Sequence, residues 1–252
     1  MTSISELTFF GTPILFFDEM ESTSDYLKNT HFDKPRLIIT DNQTYGRGQY
    51  GKVWDSQCAK NLCFSFQYFP KNLSIEMGYR ISQSMALGLV EIINGFIYPD
   101  VSYIKWPNDI ILKDKKVAGI LVETTISNSK IEKVIGGIGV NVNQVDFSDH
   151  LPNASSLAKL FPEKIWERSQ VLYAIIKKLE HYLGKEFQED YQSIFNDNLY
   201  KINEPISVVH SNEQRQVINL GVDNQGYWHL RDQDNQEKLI IKSSQEIVYL
   251  YV

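Results

Sequence analysis

Cysteine is scarce, with Cys58 and Cys63 the two in 252 residues. One pair cannot staple a chain of this size, and no second pair or nearby histidine completes a zinc set. Both are read as partly buried thiols. No lysine or arginine precedes Lys28, and Gly11 and Pro13 interrupt the apolar stretch Leu7–Phe17, so a secretory signal is not expected. No apolar run approaches the ~18 residues of a membrane span. Positive charge is not in excess either: 25 Lys and Arg against 31 Asp and Glu leave a net charge of −6. That excludes DNA binding through the overall field, though not a local basic patch. A soluble cytoplasmic protein is the expectation. The chain is 42% apolar and 22% charged, which excludes intrinsic disorder. Its length suits one large domain, or a large one plus a small one.

The pattern is mixed α and β. Leu37–Thr40 reads as a buried strand. In Asn61–Tyr68, Leu62, Phe64, Phe66 and Tyr68 alternate with smaller or polar residues, which marks a half-buried strand. Ile81, Met85, Leu89 and Ile92 recur at helical spacing within Ile75–Ile93, with Ser74 as N-cap and Gly95 as terminator. Strands are predicted at Val101–Trp106, Val117–Thr124 and Ile131–Val142, with turns at Asp114-Lys115 and Asn128-Ser129. Lys164–Leu183 is amphipathic and helical, and the spacing continues weakly to Leu199. After Pro205 the character changes to five short strands at 206–209, 216–220, 227–230, 239–241 and 247–251. They predict a small closed barrel of SH3-like type. The domain division is 1–202 and 203–252.

Gly46-Arg-Gly-Gln-Tyr-Gly51-Lys52 matches two phosphate-loop patterns, since glycines let backbone amides approach an anion. Neither survives its context. A P-loop needs Ser or Thr after the lysine, and Val53 stands there. Both motifs should open a helix, whereas Val53-Trp-Asp-Ser-Gln-Cys58 has no helical pattern. No acid follows at ~20 residues to hold a ribose. A plain turn and a mobile flap that wraps an anion both remain open.

Three blocks decide between them: Asp41–Trp54, then Lys105-Trp-Pro-Asn-Asp-Ile-Ile-Leu-Lys-Asp-Lys-Lys-Val-Ala-Gly-Ile-Leu-Val-Glu123, then Gly137-Ile-Gly-Val-Asn-Val-Asn143. In this order and spacing they resemble the biotin protein ligases. Glu21-Ser-Thr-Ser24 is similar to the family's substrate loop. The resemblance spans about residues 14–252. It implies an α+β fold: a mixed sheet with helices on one face, class II synthetase-like, plus the C-terminal SH3-like barrel. It also implies a two-step reaction. Biotin and ATP give biotinyl-5′-AMP and pyrophosphate, and a lysine of the biotin carboxyl carrier protein of acetyl-CoA carboxylase then takes the biotin. ATP and Mg²⁺ are co-substrates, with no tightly bound prosthetic group. Either a monomer or a homodimer suits the family.

The residues suit that chemistry. A carboxylate must approach a triphosphate, so fixed cations are needed. Arg47 offers a planar fork, and Lys116 is the resemblance's candidate for the central catalytic lysine. Without the flanking block, Lys116 would read as a solvated hairpin residue. The biotin set implied is Ser22, Thr23, Ser24, Gln43, Arg47, Gly48, Gln49, Lys116 and Gly119. The adenylate set is Arg47, Lys52, Trp54, Lys105, Asn108, Asp109 and Asn141. Several assignments have a second reading. Ser22 also fits a helix N-cap. Trp54 closes on adenine or is simply core. Asp109 is a Mg²⁺ ligand, a Lys105 partner or a turn residue. Asn141 contacts the adenylate or is an interior strand polar residue. Gln49 and Lys52 stand where several members carry arginine, so Gln49 supplies no charge for a phosphate. A less tightly held adenylate follows as an expectation. The Gly46–Lys52 loop is expected to order over that adenylate and shield it from water.

About 17 residues precede the substrate loop, too few for a helix-turn-helix, so neither DNA binding nor a repressor role is expected. The competing readings are a lipoate or octanoate transfer enzyme of related fold and a non-catalytic biotin-binding protein. Retention of Arg47 and Lys116 speaks against the latter.

Overall fold

The computed structural model describes residues 4–185 and 191–250. A ribbon of β1 (Thr8–Phe9) and β2 (Thr12–Pro13) precedes β3 (Leu15–Met20), α1 (Thr23–Asn29) and β4 (Arg36–Gln43). Then come β5 (Leu62–Tyr68), β6 (Leu73–Ser74), α2 (Tyr79–Ile97), β7 (Ser102–Lys105), β8 (Asp109–Leu112), β9 (Lys115–Ser127) and β10 (Lys130–Val140). Helices α3 (Leu157–Leu160), α4 (Arg168–Gly184) and α5 (Gln192–Asp197) lead to β11 (Pro205–His210), β12 (Glu213–Val222), β13 (Trp228–Asp232), β14 (Lys238–Ile241) and β15 (Ile247–Leu250).

The main sheet has the order β3-β4-β5-β10-β9-β8-β7, with β6 paired to β10. Its β3–β4 pair is parallel and the other pairs are antiparallel. Alternation sorts its two faces. Phe64 and Phe66 of β5 join Met85, Leu89 and Ile93 of α2 in the main core, and α4 packs on α2 through Leu172, Ile176 and Leu179. Each such side chain contributes roughly 1.5–3 kcal/mol by leaving water, before chain entropy is counted. The intervening Ser65 faces the other side, where α1 lies across β5, β10 and β4. Leu27, Ile38 and Ile135 form a small separate core there. The long helices therefore share one face, and α1 covers only part of the other.

Several predicted boundaries shift for identifiable reasons. Gly95 sits inside α2, where a Cβ would meet nothing within 4 Å. The helix runs on to Ile97 because Pro99, not the glycine, stops it; a residue before proline disfavours the helical region. Ser74 does not cap α2; it ends β6 and precedes a 3₁₀ turn at Ile75–Met77 without a side-chain capping bond. The tight turn falls at Lys113-Asp114, both at positive φ, one residue earlier than predicted, while Asn128-Ser129 is as expected. The predicted helical continuation to Leu199 resolves into α5, with 186–190 outside the described residues. Cys58 is exposed and Cys63 buried, both as free thiols.

The last five strands form an antiparallel sheet of order β14-β13-β12-β11-β15 with Val208, Val217, Leu230 and Ile241 buried inside, consistent with an SH3-like domain. Among the described residues no ladder joins β14 to β15. This sheet docks firmly on the rest. Trp106 and Trp228 stack at 5.3 Å, and the Trp106 indole N–H donates to the Gly226 carbonyl at 3.0 Å. Among the described residues no helix is long and apolar enough to cross a membrane.

Candidate active site

On the face opposite α2, a cavity of about 600 Å³ lies between α1, the glycine loop and the C-terminal sheet. Of the residues predicted for the site, all but Ser22 and Asn141 line it. Ser22 accepts from the Asp25 amide at 3.3 Å, which is the N-cap reading. Asn141 is buried; its side-chain amide donates to the Ser155 carbonyl at 2.9 Å and its backbone pairs with Val117. It sits in the interior and does not line the cavity.

The glycine loop is a hairpin rather than the start of a helix. Arg47 bridges Val53, the Trp54 amide donates to the Gly46 carbonyl at 2.9 Å, and the Gly48 amide donates to the Lys52 carbonyl at 2.7 Å. Gly48, Gln49 and Lys52 thereby face the cavity from one side. Trp54 follows and lies half-buried on the floor. A Cβ on Gly139 would meet the indole at 2.3 Å, and one on Gly119 would meet it at 3.0 Å. Trp54 is thus a wall of the cavity, seated on two strands that lack side chains at the contact. Gly137 and Gly139 both line the cavity, and glycines spaced by two on one strand face are the sequence signal for such a surface.

One end of the cavity carries a hydrogen-bonded chain. Gln43 Oε1 accepts from the Thr23 backbone amide at 2.9 Å and from the Thr23 hydroxyl at 3.1 Å, and that hydroxyl lies 2.7 Å from Ser65 Oγ. Ser24, buried beside them, also faces the cavity. Ser65 had no sequence signal beyond being a serine in an apolar strand. The cluster offers a few fixed polar atoms on an otherwise apolar wall, the composition of a small-molecule slot.

The charged end is built by a short hairpin. Pro107 and Asn108 turn the chain from β7 into β8, and Asn108 locks it to β9: its side-chain amide donates to the Ile120 carbonyl at 2.6 Å. β8 thereby places Asp109 between two lysines. Lys116 Nζ stands 2.6 Å from Asp109 Oδ1, and Lys105 Nζ 4.0 Å from Oδ2. Burial pushes the Lys105 ammonium below its usual range, and the Asp109 charge only partly offsets this. Lys116 Nζ also lies 5.5 Å from the Trp54 ring centre. Among the described residues no three His, Cys, Asp or Glu side chains gather to hold a metal ion. Asp109 stands between the two lysines and is a partner to both.

Arg47 is held differently. Its guanidinium meets Asp25 Oδ1 at 2.5 Å and Glu123 Oε1 at 3.4 Å, while Lys28 Nζ meets the same Glu123 oxygen at 2.5 Å. Burial lowers the Arg47 pKa, but the Asp25 hydrogen bond and the two carboxylate charges outweigh it and raise it. Sequence alone assigns Asp25 and Glu123 no role here, because Arg47 lies 22 and 76 residues from them.

Fold and site together define an α+β protein whose cavity sets cationic side chains beside a largely apolar wall. The family model described as biotin/lipoate A/B protein ligase matches residues 16–141. The chain belongs to that family. It is 33% identical over 177 residues to the bifunctional ligase/repressor BirA of Bacillus subtilis, covering 66% of this chain and 52% of that protein. BirA of Escherichia coli is 25% identical over 232 residues, covering 86% and 68%. The chain thus spans about half the length of the Bacillus relatives it matches. Among solved structures, the Aquifex aeolicus biotin protein ligase in complex with biotin and ATP superposes with a TM-score of 0.76 at 25% identity, over 95% of this chain and 99% of that one.

Proposed function

We propose that this chain is an ATP-dependent biotin–[acetyl-CoA-carboxylase] ligase. It would activate biotin as biotinyl-5′-AMP and pass biotin to a lysine of the biotin carboxyl carrier protein. One observation carries the reading: two lysines share a single carboxylate at the floor of a slot walled by Trp54 and the glycine hairpin. Relatives named as biotin–[acetyl-CoA-carboxylase] ligase in Mycobacterium tuberculosis and Paracoccus denitrificans support it.

In the first step a biotin carboxylate oxygen attacks the α-phosphorus of ATP, and the bond to pyrophosphate breaks. Both reactants are anions, so charge must be neutralised where it develops. Lys116, on Asp109 at the slot floor, is suited to the attacking carboxylate and the α-phosphoryl oxygens. Lys105, less exposed, is suited to the phosphate on the side of the C-terminal sheet. Thr23, Gln43 and Ser65 would orient the uncharged ring of biotin. Asp109 is one carboxylate engaged by two lysines, so the residues present do not form a protein-built Mg²⁺ cage. Mg²⁺ would arrive on the triphosphate, where it neutralises phosphate charge. In the second step the neutral amine of the acceptor lysine attacks the anhydride carbonyl, AMP departs, and the amine proton is released. The net charge of −6 gives no support to a repressor function.

The test is biotin-dependent ATP–pyrophosphate exchange without a carrier protein, for wild type and Lys116→Ala. Exchange that falls by at least about a hundredfold in the variant is expected, the scale for losing one group that stabilises transition-state charge. Exchange with lipoate or octanoate but not biotin would move the chain to the other branch of its family. No exchange with any of these acids would overturn the reading.

A further inference from the structure

The tip of the glycine hairpin breaks a local rule. Tyr50 and Gly51 are its two central residues, with φ of 54° and 76°, and the Lys52 amide closes the turn on the Gln49 carbonyl at 3.1 Å. A turn with both central residues at positive φ suits Asn-Gly or Gly-Gly. A bulky aromatic at the first of these positions is an outlier that needs compensation. The compensation lies far away in sequence. The Tyr50 hydroxyl is 3.0 Å from Ser243 Oγ, in the connection between β14 and β15. Ser243 also organises that connection, since its Oγ lies 3.3 Å from the Gln245 amide and its carbonyl accepts from Glu246 at 3.0 Å. Ser244, Ile247 and Val248, just beyond, line the same cavity as Tyr50.

We infer that Tyr50 is a positioning residue: it straps the glycine hairpin to the C-terminal sheet across the mouth of the cavity, and breaking the Tyr50–Ser243 bond opens that mouth. Toward its base the hairpin is tied by the Gly46–Trp54 and Gly48–Lys52 bonds and by the Arg47 ion pairs to Asp25 and Glu123. Its tip reaches the connection between β14 and β15 through the Tyr50 side chain, so the strap spans two sides of the cavity. That the gated ligand is an acyl-adenylate rests on the proposed function. The strap itself does not.

The experiment uses the full chain in two assays. Without ligand, trypsin cleavage within Arg47–Val53 is timed for wild type, Tyr50→Phe, Ser243→Ala and the double variant, with thermal melts run alongside. Each single variant is expected to be cut about two- to tenfold faster, the range one exposed hydrogen bond supplies, with little change in melting temperature. The double variant is expected to match the faster single one. Tyr50→Asn, which suits the turn but lacks the long arm, should also be cut faster. Unchanged cleavage in Ser243→Ala, additive effects in the double variant, or a wild-type rate in Tyr50→Asn would each overturn the strap. In the second assay, biotin and ATP are supplied and free biotinyl-5′-AMP is followed. Tyr50→Phe should release it about two- to tenfold faster with its rate of formation little changed. Equal release would refute the gating role. If wild type forms no adenylate, the ligase reading fails, and the ligand-free proteolysis still decides the strap.

Discussion

Gly139→Ala offers a sharp test of how the cavity floor is built. The added methyl carbon would stand 2.3 Å from Trp54 Cε2 and 2.4 Å from Cζ2. Carbon atoms pack at about 3.5 Å or more, so the ring must retreat by roughly 1.2 Å. The strand cannot yield, because Gly139 is paired with Cys63 on one side and with Gly119 on the other. Trp54 is therefore pushed off its seat. Overpacking of this kind costs about 1–3 kcal/mol. For a chain of this size that is a melting temperature lowered by roughly 2–12 °C. Biotin binding should weaken by about tenfold or more, since a displaced indole intrudes on the slot and 1.4 kcal/mol is a factor of ten. Gly137→Ala is the control on the same strand face. Its Cβ would first meet Ser65 Oγ at 3.4 Å, an ordinary contact, and little loss of stability is expected. Thermal unfolding and calorimetric titration with biotin measure both variants. Trp54→Ala introduced into Gly139→Ala should recover part of the lost stability, because it removes the colliding ring. Equal melting shifts in the two glycine variants, or no recovery in the double variant, would refute this account of the floor.

Lys105→Met should melt at a higher temperature than wild type near neutral pH while losing ATP affinity, which paired melts and ATP titrations would reveal. The sign follows from the lowered pKa of Lys105: between its folded value and the usual lysine value the unfolded chain binds more protons, so the wild-type contribution to stability rises with pH there. Removing the charge removes that penalty, and the melting advantage should vanish above the usual lysine pKa. Gln49→Arg should slow escape of biotinyl-5′-AMP, because a bidentate fork would be added at a position lining the cavity; filter-binding of labelled adenylate would detect it, and equal escape would count against the role of charge at that position. Asp223 holds the turn after β12 by accepting from the Gln225 and Tyr227 amides and facing His229 Nε2 at 2.8 Å. Burial raises its pKa, but these bonds outweigh that and set it below the usual carboxylate range. The stability it supplies is present above the ordinary carboxylate pKa and is lost as pH falls through the folded value. Asp223→Ala should therefore destabilise by about 1–3 kcal/mol at pH 7, with a smaller difference in acid, as denaturant melts at both pH values would show.

Elements with a sustained period were legible in the sequence. β5 alternates through Leu62, Phe64, Phe66 and Tyr68, and α4 repeats Val171, Leu172, Ile175, Ile176 and Leu179. β8 escaped because Asp109–Leu112 is four residues long, follows a proline, and has no alternation to read. β3 escaped because Leu15–Met20 continues an apolar stretch already broken by Gly11 and Pro13. In the site, residues inside the three sequence blocks were found together in space. Ser65, Asp25 and the wall of Ser244, Ile247, Val248 and Tyr249 lie outside those blocks, and no motif around them marks them for the site. Asn141 differs from its neighbours: it sits inside a recognisable block, yet its amide donates to a buried backbone carbonyl at Ser155 and it does not line the cavity.

The quartet of Arg47, Lys28, Asp25 and Glu123 contains two positive and two negative groups. An incoming anion that claims the Arg47 guanidinium competes with carboxylates the chain supplies from within. Lys28 stays behind, on Glu123 and 3.8 Å from Asp25, so those carboxylates keep a counter-charge when the arginine leaves. Arg47 would therefore exchange partners instead of surrendering them. On the proposed function, anion binding here would be a substitution between ligands of one cation, with the resting state already holding the rival.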